Sequence, residues 1–208
     1  DAEGFYATEA GLKEGFTGIY SLLYFDMNWS VPACIVLDHY TAYGLEQDEN
    51  NSIGAGGTLN PDNGKIQAFW TGEYAIAARA NSVIYGAKNA VAGMSDAARQ
   101  YYAEARVLRA YAYYNLVSAF GDVPFFTAPV TIDEYQSGRT PKGDIIDFLI
   151  EDLNDAADYL PWTGTERGRV DKAVAYGLIA RIGLFGGSFN VNNKGSEYFR
   201  TAADAAEK

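Results

Sequence analysis

The sequence predicts an all-α fold of antiparallel helical hairpins with long irregular loops. Three observations carry this. Apolar residues recur at spacings near three, four and seven in successive stretches, the pattern of helices buried on one face. Short links with cap and stop residues join several of these stretches, which makes neighbours antiparallel. Two longer connections change composition, to Gly, Asn, Asp and Tyr in one and to apolar then acidic residues in the other.

The first helix is expected over about Gly4 to Tyr24, with Phe5, Leu12, Phe16, Ile19, Tyr20 and Leu23 as its apolar stripe. A short helix or extended piece follows around Val31 to Asp38. From His39 to Gly64 the chain reads as a loop insertion, and loops of that length are usually functional or mobile. The next helix covers about Lys65 to Val91, with Ile66, Trp70, Ala77, Ala80, Ile84, Ala87 and Val91 on one face. Met94-Ser95-Asp96 interrupts it, and Ser95 is an N-cap type. A second long helix runs to Phe120 with Tyr101, Ala105, Leu108, Ala112, Leu116 and Ala119 as inner residues. Gly121 fits a C′ residue and Pro124 a stop.

Phe125 to Gly138 is the second long loop. Thr140-Pro141 fits an N-cap followed by a proline at the first helical position. The helix after it carries Ile145, Leu149, Leu153, Ala156 and Leu160 on one face, and Pro161 ends it. Trp162 to Gly168 is a turn. A helix from about Asp171 to Phe185 has Val174, Leu178, Ile182 and Phe185 as its stripe, with Ala173, Gly177 and Ala180 as small residues that permit close crossing. Ser196 to Lys208 begins another. Repeated helix–turn–helix units of this kind point to a tetratricopeptide-like array.

Composition excludes several functions. Sixteen Lys plus Arg against 27 Asp plus Glu give a net charge of −11, which opposes nucleic-acid binding, since phosphate neutralisation needs a basic patch. One Cys rules out a disulfide scaffold or a CxxC site, and one His rules out HExxH and multi-His zinc sites. Hydrophobic residues at 48% with 21% charged oppose disorder. No run approaches the ~20 apolar residues of a membrane-spanning helix. No secretory leader is read at Asp1 to Tyr6, and the uncapped last helix suggests a trimmed chain.

One ordered series is far more specific. Glu104-Ala105-Arg106-Val107-Leu108-Arg109-Ala110-Tyr111 is followed by Asn115-Leu116-Val117 and Phe120-Gly121-Asp122-Val123-Pro124. Arg139 and Pro141, Ile150-Glu151-Asp152-Leu153, Leu160-Pro161 and Gly168-Arg169-Val170 come next, and Trp70, Tyr74, Ile76 and Asn81 stand on the preceding helix. This order resembles the SusD/RagB family of Bacteroidetes outer-membrane nutrient-binding lipoproteins, from about Phe5 to the C-terminus. The resemblance implies an α-helical tetratricopeptide scaffold packed against a less regular part. It implies a lipid anchor to the cell-surface leaflet of the outer membrane, a SusC-like TonB-dependent transporter as partner, delivery of glycans or peptides to it, no cofactor and no enzymatic activity. Family members are usually more than twice this length, so residues 1–208 are expected to be one N-terminal helical domain. The lipidated Cys expected near a member's N-terminus is absent from this chain, and Cys34 is internal and cannot be it.

The best ligand candidates are Tyr40, Tyr43, Asp48, Asn50 and Asn51, with Glu49 beside them, and Trp29 just before the loop. Sugars stack their C–H faces on aromatic rings and pair their hydroxyls with Asp and Asn. In starch-binding relatives, loop aromatics and an Asn of the N-terminal part contribute to the glycan site. Packing tyrosines in a loop are the competing reading. Trp162, also in a loop, is a lesser candidate, whereas Trp70 on a helix stripe reads as core.

Other groups have plainer readings. Arg106 and Arg109 share a face and either clamp an anion or tie their helix to acids of the next hairpin; structural pairing is preferred. Asp144, Asp147, Glu151, Asp155 and Asp158 form one acidic stripe, which reads as a solvated face. His39 has no identifiable acid or metal partner for catalysis, and Cys34 sits among apolar residues as a small hydrophobe. Gly54-Ala55-Gly56-Gly57 lacks the Lys-Ser or Lys-Thr of a phosphate loop. No catalytic residue and no metal site is expected. The function read from the sequence is surface glycan binding. The alternatives are a repeat module binding protein or peptide and, behind it, a two-carboxylate glycosidase, for which no motif positions a pair.

Overall fold

A computed structural model describes residues 2–23, 62, 64–164 and 166–208. Its helices are α1 (Ala2–Tyr6), α2 (Glu9–Leu22), α3 (Gly64–Ala87), α4 (Asp96–Phe120), α5 (Lys142–Ala157), α6 (Lys172–Ser188) and α7 (Gly195–Ala206). Short 3₁₀ turns occupy Val91–Gly93, Ile132–Gln136 and Val191–Asn193. The fold is all-α. Among the described residues the only β feature is an isolated bridge, Val123 with Thr140, that closes the loop after α4.

From α3 onward each helix packs on its neighbour in sequence, and α2 lies across both α3 and α4. The core between them is rich in alanine: Ala77, Ala80, Ala87, Ala103, Ala105, Ala110 and Ala112 are all buried, which lets helices approach closely. Larger groups fill the layers, with Leu12 and Ile19 from α2, Ile76 from α3, Leu116 from α4 and Ile145, Ile146, Leu149 and Leu153 from α5.

Helix ends follow local chemistry. Ser95 caps α4, its hydroxyl accepting from the Ala98 amide at 3.3 Å. Gly121 ends α4 at φ 73°, a conformation costly for a residue with a Cβ. Asp171 caps α6 by accepting from the Val174 amide at 3.0 Å.

Several expectations are corrected. The first helix is not continuous: Thr8 breaks it and caps α2 by accepting from Gly11 N at 3.1 Å. Phe5 therefore belongs to α1 and is exposed. The second helix stops at Ala87 rather than reaching Val91. Ala119 turns outward on the last turn of α4. Pro141 sits at the cap of α5 and not at its first helical position; Asp122 supplies the missing acceptor, taking a hydrogen bond from Lys142 N at 2.8 Å.

The close helix crossing lies one turn or more beyond the expected place. Ala173, Val174 and Gly177 face outward, and a Cβ on Gly177 would meet nothing within 4 Å. Gly183, Gly186 and Gly187 instead face α7: a Cβ on Gly183 would lie 2.8 Å from Tyr198 O and 3.0 Å from Ala202 Cβ. The glycines of α6 thus admit the backbone and rings of α7.

Candidate binding site

Trp29, Tyr40, Tyr43, Asp48, Asn50 and Asn51 lie outside the described residues, as do Cys34, His39, the piece from Val31 to Asp38 and the Gly54–Gly57 run. The long segment that carries them joins the start of α3 at Gly64. Trp70 stands six residues further on, about 9 Å along the helix.

Further along α3, the helical motif residues assemble around the loop that follows α4. Tyr74 on α3 donates its hydroxyl to Pro124 O at 2.6 Å. Asn81 donates to Phe126 O at 2.7 Å. Tyr113 on α4 donates to Phe126 O at 3.1 Å and accepts from Phe126 N at 2.9 Å. Four bonds therefore pin the backbone of 124–126 against α3 and α4. Burial pushes the Tyr74 and Tyr113 hydroxyls above their ordinary pKa, so both stay protonated and able to donate.

Arg109 continues this tie to α5. It donates to Asn81 Oδ1 at 3.1 Å, to Thr127 O at 3.4 Å and to Asp152 Oδ2 at 2.7 Å. Arg106 reaches the other oxygen of Asp152 at 2.7 Å and the exposed Asp155 at 3.2 Å. The guanidinium of Arg109 also faces the Phe148 ring at 5.4 Å. The pair is thus engaged by acids of the next helix, as preferred, and is not open to an external anion.

Between α3 and the pinned loop lies a cleft of about 400 Å³ lined by Trp70, Tyr74, Asn81, Tyr113, Phe126 and Val130 among others. Its size falls within the range of small-ligand pockets. Trp70 is half-buried and packs edge-on against Phe120 at 4.9 Å, so it belongs partly to the core and partly to the cleft wall. The amide and hydroxyls of Asn81, Tyr74 and Tyr113 are committed to the loop backbone, so the cleft offers mainly ring faces.

A second polar knot fixes the far end of the hairpins. Tyr20 on α2 donates to Glu104 Oε2 at 2.6 Å and accepts from Val170 N at 2.8 Å. Glu104 also accepts from Gln100 at 3.0 Å and is paired with Arg169. Arg169 sits beside the stacked rings of Phe16 and Tyr101, 4.8 and 5.0 Å from their centroids. Burial, then the bond to Glu104, raises the Tyr20 pKa. Buried Glu73 accepts from Asn115 at 2.8 Å between α3 and α4. These ties use polar residues of the motif as scaffold.

The acidic stripe of α5 is mostly exposed, with one exception. Asp147 accepts from Tyr198 at 2.6 Å and from Lys194 at 3.2 Å, which docks α7 on α5. Among the described residues no group of His, Cys, Asp and Glu is arranged to hold a metal ion. Sequence reading named Tyr74, Asn81 and Asp152 only as parts of a pattern, and missed Tyr113 altogether. Tyr113 lies off the apolar stripe read for that helix, and nothing in the spacing marks its hydroxyl.

A family model described as starch-binding and associating with the outer membrane, SusD-like, matches residues 5–184. The chain belongs to the SusD-like family. It is 30% identical over 201 residues to SusD-like protein P2 of Formosa agariphila, covering 90% of this chain and 38% of that protein. Its fold is similar to that of a SusD-like carbohydrate-binding protein of Bacteroides fragilis, with TM-score 0.77 and 22% identity over 96% of this chain and 41% of the other. A laminarin-binding SusD-like protein has TM-score 0.78 at 22% identity, covering 94% and 42%. The chain therefore spans less than half the length of each of these relatives. No helix among the described residues is long and apolar enough to cross a membrane.

Proposed function

We propose that this SusD-like chain provides the helical scaffold and part of the ligand site of a cell-surface glycan-binding protein. The observation that carries the reading is the family match over residues 5–184, whose polar motif residues form the two knots described above. Binding is reversible, through stacking and hydrogen bonds, without covalent chemistry, cofactor or metal. Trp29, Tyr40, Tyr43, Asp48, Asn50 and Asn51 are the proposed contacts, and the aromatic cleft beside Trp70 offers ring faces of its own to a sugar. The physiological setting is the outer-membrane surface, with a lipid anchor and a SusC-like TonB-dependent transporter that receives the glycan.

Isothermal titration against a panel of polysaccharides tests this. Tyr40→Ala and Tyr43→Ala should each weaken glycan affinity by about tenfold, ~1.4 kcal/mol, with the melting temperature nearly unchanged. A large loss of stability would make these tyrosines core residues. Binding to peptides with none to any glycan would replace this reading with a peptide-binding repeat module. Release of reducing sugar would show an enzyme.

A further inference from the structure

The loop between α5 and α6 carries Trp162, which pairs with Tyr176 of α6. Trp162 is 53% exposed. Its ring lies nearly parallel to that of Tyr176, at 25° and 5.8 Å between centroids. The side chain is thus held by Tyr176 and remains half open to water. The loop that carries it is closed at its base, where Pro161 O accepts from Lys172 N at 2.9 Å. Trp162 follows that proline directly, so its backbone is held at the closed end of the loop.

Two ammonium groups lie beside the pair in a chain of net charge −11. Lys172 Nζ lies 5.7 Å from the Trp162 ring and Lys208 Nζ 5.6 Å from the Tyr176 ring. No ion pair neutralises either ammonium among the described residues, while nearby Asp171 is committed to capping α6 and Glu166 faces Arg169 at 3.9 Å. Lys172 is also the first residue of α6, where a cation opposes the helix dipole. Its charge is therefore not there to stabilise the helix.

We infer that Trp162, Tyr176 and Lys172 form a second carbohydrate subsite, one that takes a sugar ring bearing a carboxylate or sulfate. The C–H face of the ring stacks on Trp162, and Lys172 pairs with the anionic substituent. This subsite rests on the glycan-binding reading but uses residues distinct from those proposed above.

Affinity electrophoresis of the 208-residue chain tests it, in gels containing polygalacturonate, alginate or carrageenan, with starch, laminarin and methyl-esterified polygalacturonate as neutral counterparts. The expected result is retardation by an acidic polysaccharide beyond its neutral counterpart. Trp162→Ala and Lys172→Gln should each reduce it by about tenfold, and Trp162→Phe should retain most of it. The Lys172 contribution should fade as salt rises from about 0.05 to about 0.5 M. Thermal melts within about 2 °C of the parent chain establish that the variants fold. Retardation undiminished by Trp162→Ala, or equal on the methyl ester, overturns the subsite. If that same retardation is lost in Tyr40→Ala or Tyr43→Ala, the glycan-binding reading stands without it. Retardation by neutral polysaccharides alone overturns the acidic class. Retardation by none of the six overturns the subsite and the reading it rests on.

Discussion

Asp152→Ala is expected to be among the most damaging single changes in the hairpin core. Asp152 is 8% exposed and holds two guanidiniums, Arg106 and Arg109, each at 2.7 Å. Arg109 is itself only 4% exposed. Removing the carboxylate strands buried positive charge, a loss of about 3–5 kcal/mol for a pair of this kind. For a chain of this size each kcal/mol shifts the melting temperature by roughly 2–4 °C, so the expected drop is roughly 6–20 °C. Asp155 is the internal control. It is 74% exposed and 3.2 Å from Arg106, so Asp155→Ala should cost less than about 1 kcal/mol. Scanning calorimetry and urea denaturation followed by circular dichroism give both numbers. Hydrogen exchange adds a second readout, because Arg109 also holds Asn81 and Thr127 O, and the 125–127 amides should exchange faster in Asp152→Ala. An Asp152→Ala melt within about 2 °C of the parent, or one no lower than that of Asp155→Ala, would refute the argument that this triad ties α4 to α5.

Three further outcomes follow from local geometry. Gly183→Ala should destabilise by about 1–3 kcal/mol through collision with Tyr198 O and Ala202, whereas Gly177→Ala should stabilise by about 0.4–1 kcal/mol; urea midpoints compare them. Tyr113→Phe removes the acceptor of the Phe126 amide and should cost about 1–3 kcal/mol in the same assay. Glu9 accepts from the Ser95 amide at 2.7 Å and hydroxyl at 2.9 Å, which holds its carboxyl below the usual carboxylate range. A depressed folded pKa stabilises above the unfolded value and the effect is lost as pH falls through the folded one. The melting-temperature gap between the parent and Glu9→Gln should thus be full above about pH 5 and shrink as acidity increases below that.

Much of the helical order is legible in the sequence because it depends on neighbours. Ser95, Gly121 and Asp171 mark their helix ends through bonds within four residues. Thr131 and Glu134 offered the same kind of signal: the Glu134 carboxylate accepts from Thr131 N and Oγ1, both at 2.8 Å, and starts the 3₁₀ turn inside a stretch read only as loop. Thr8 is a cap type too, but the apolar spacing from Phe5 to Leu12 reads straight through it. The glycines of α6 could not be assigned by spacing. Which side of a helix meets the next one is decided by tertiary packing, and several small-residue faces competed in that helix. The site was least legible. Pairing Tyr113 with the backbone of Phe126, or Arg109 with Asp152, requires knowing which turns of different helices lie level. Arg106 and Arg109 could be given the right kind of partner, but not the particular acid.

The Tyr20 knot has a consequence for how the chain matures. The hydroxyl of Tyr20 is satisfied by Glu104 and by the amide of Val170, which lies 150 positions later. At synthesis rates of about 5–20 residues per second, that amide emerges roughly 8–30 s after Tyr20. Until then α2 can hold α4 through Glu9 with Ser95 and Tyr20 with Glu104, but the Val170 and Arg169 bonds of the knot are missing. Helix α2 is thus a latch whose last bonds close late. A chain interrupted before Arg169 would lack the bonds that complete this knot, so the seating of α2 depends in part on residues of the second hairpin.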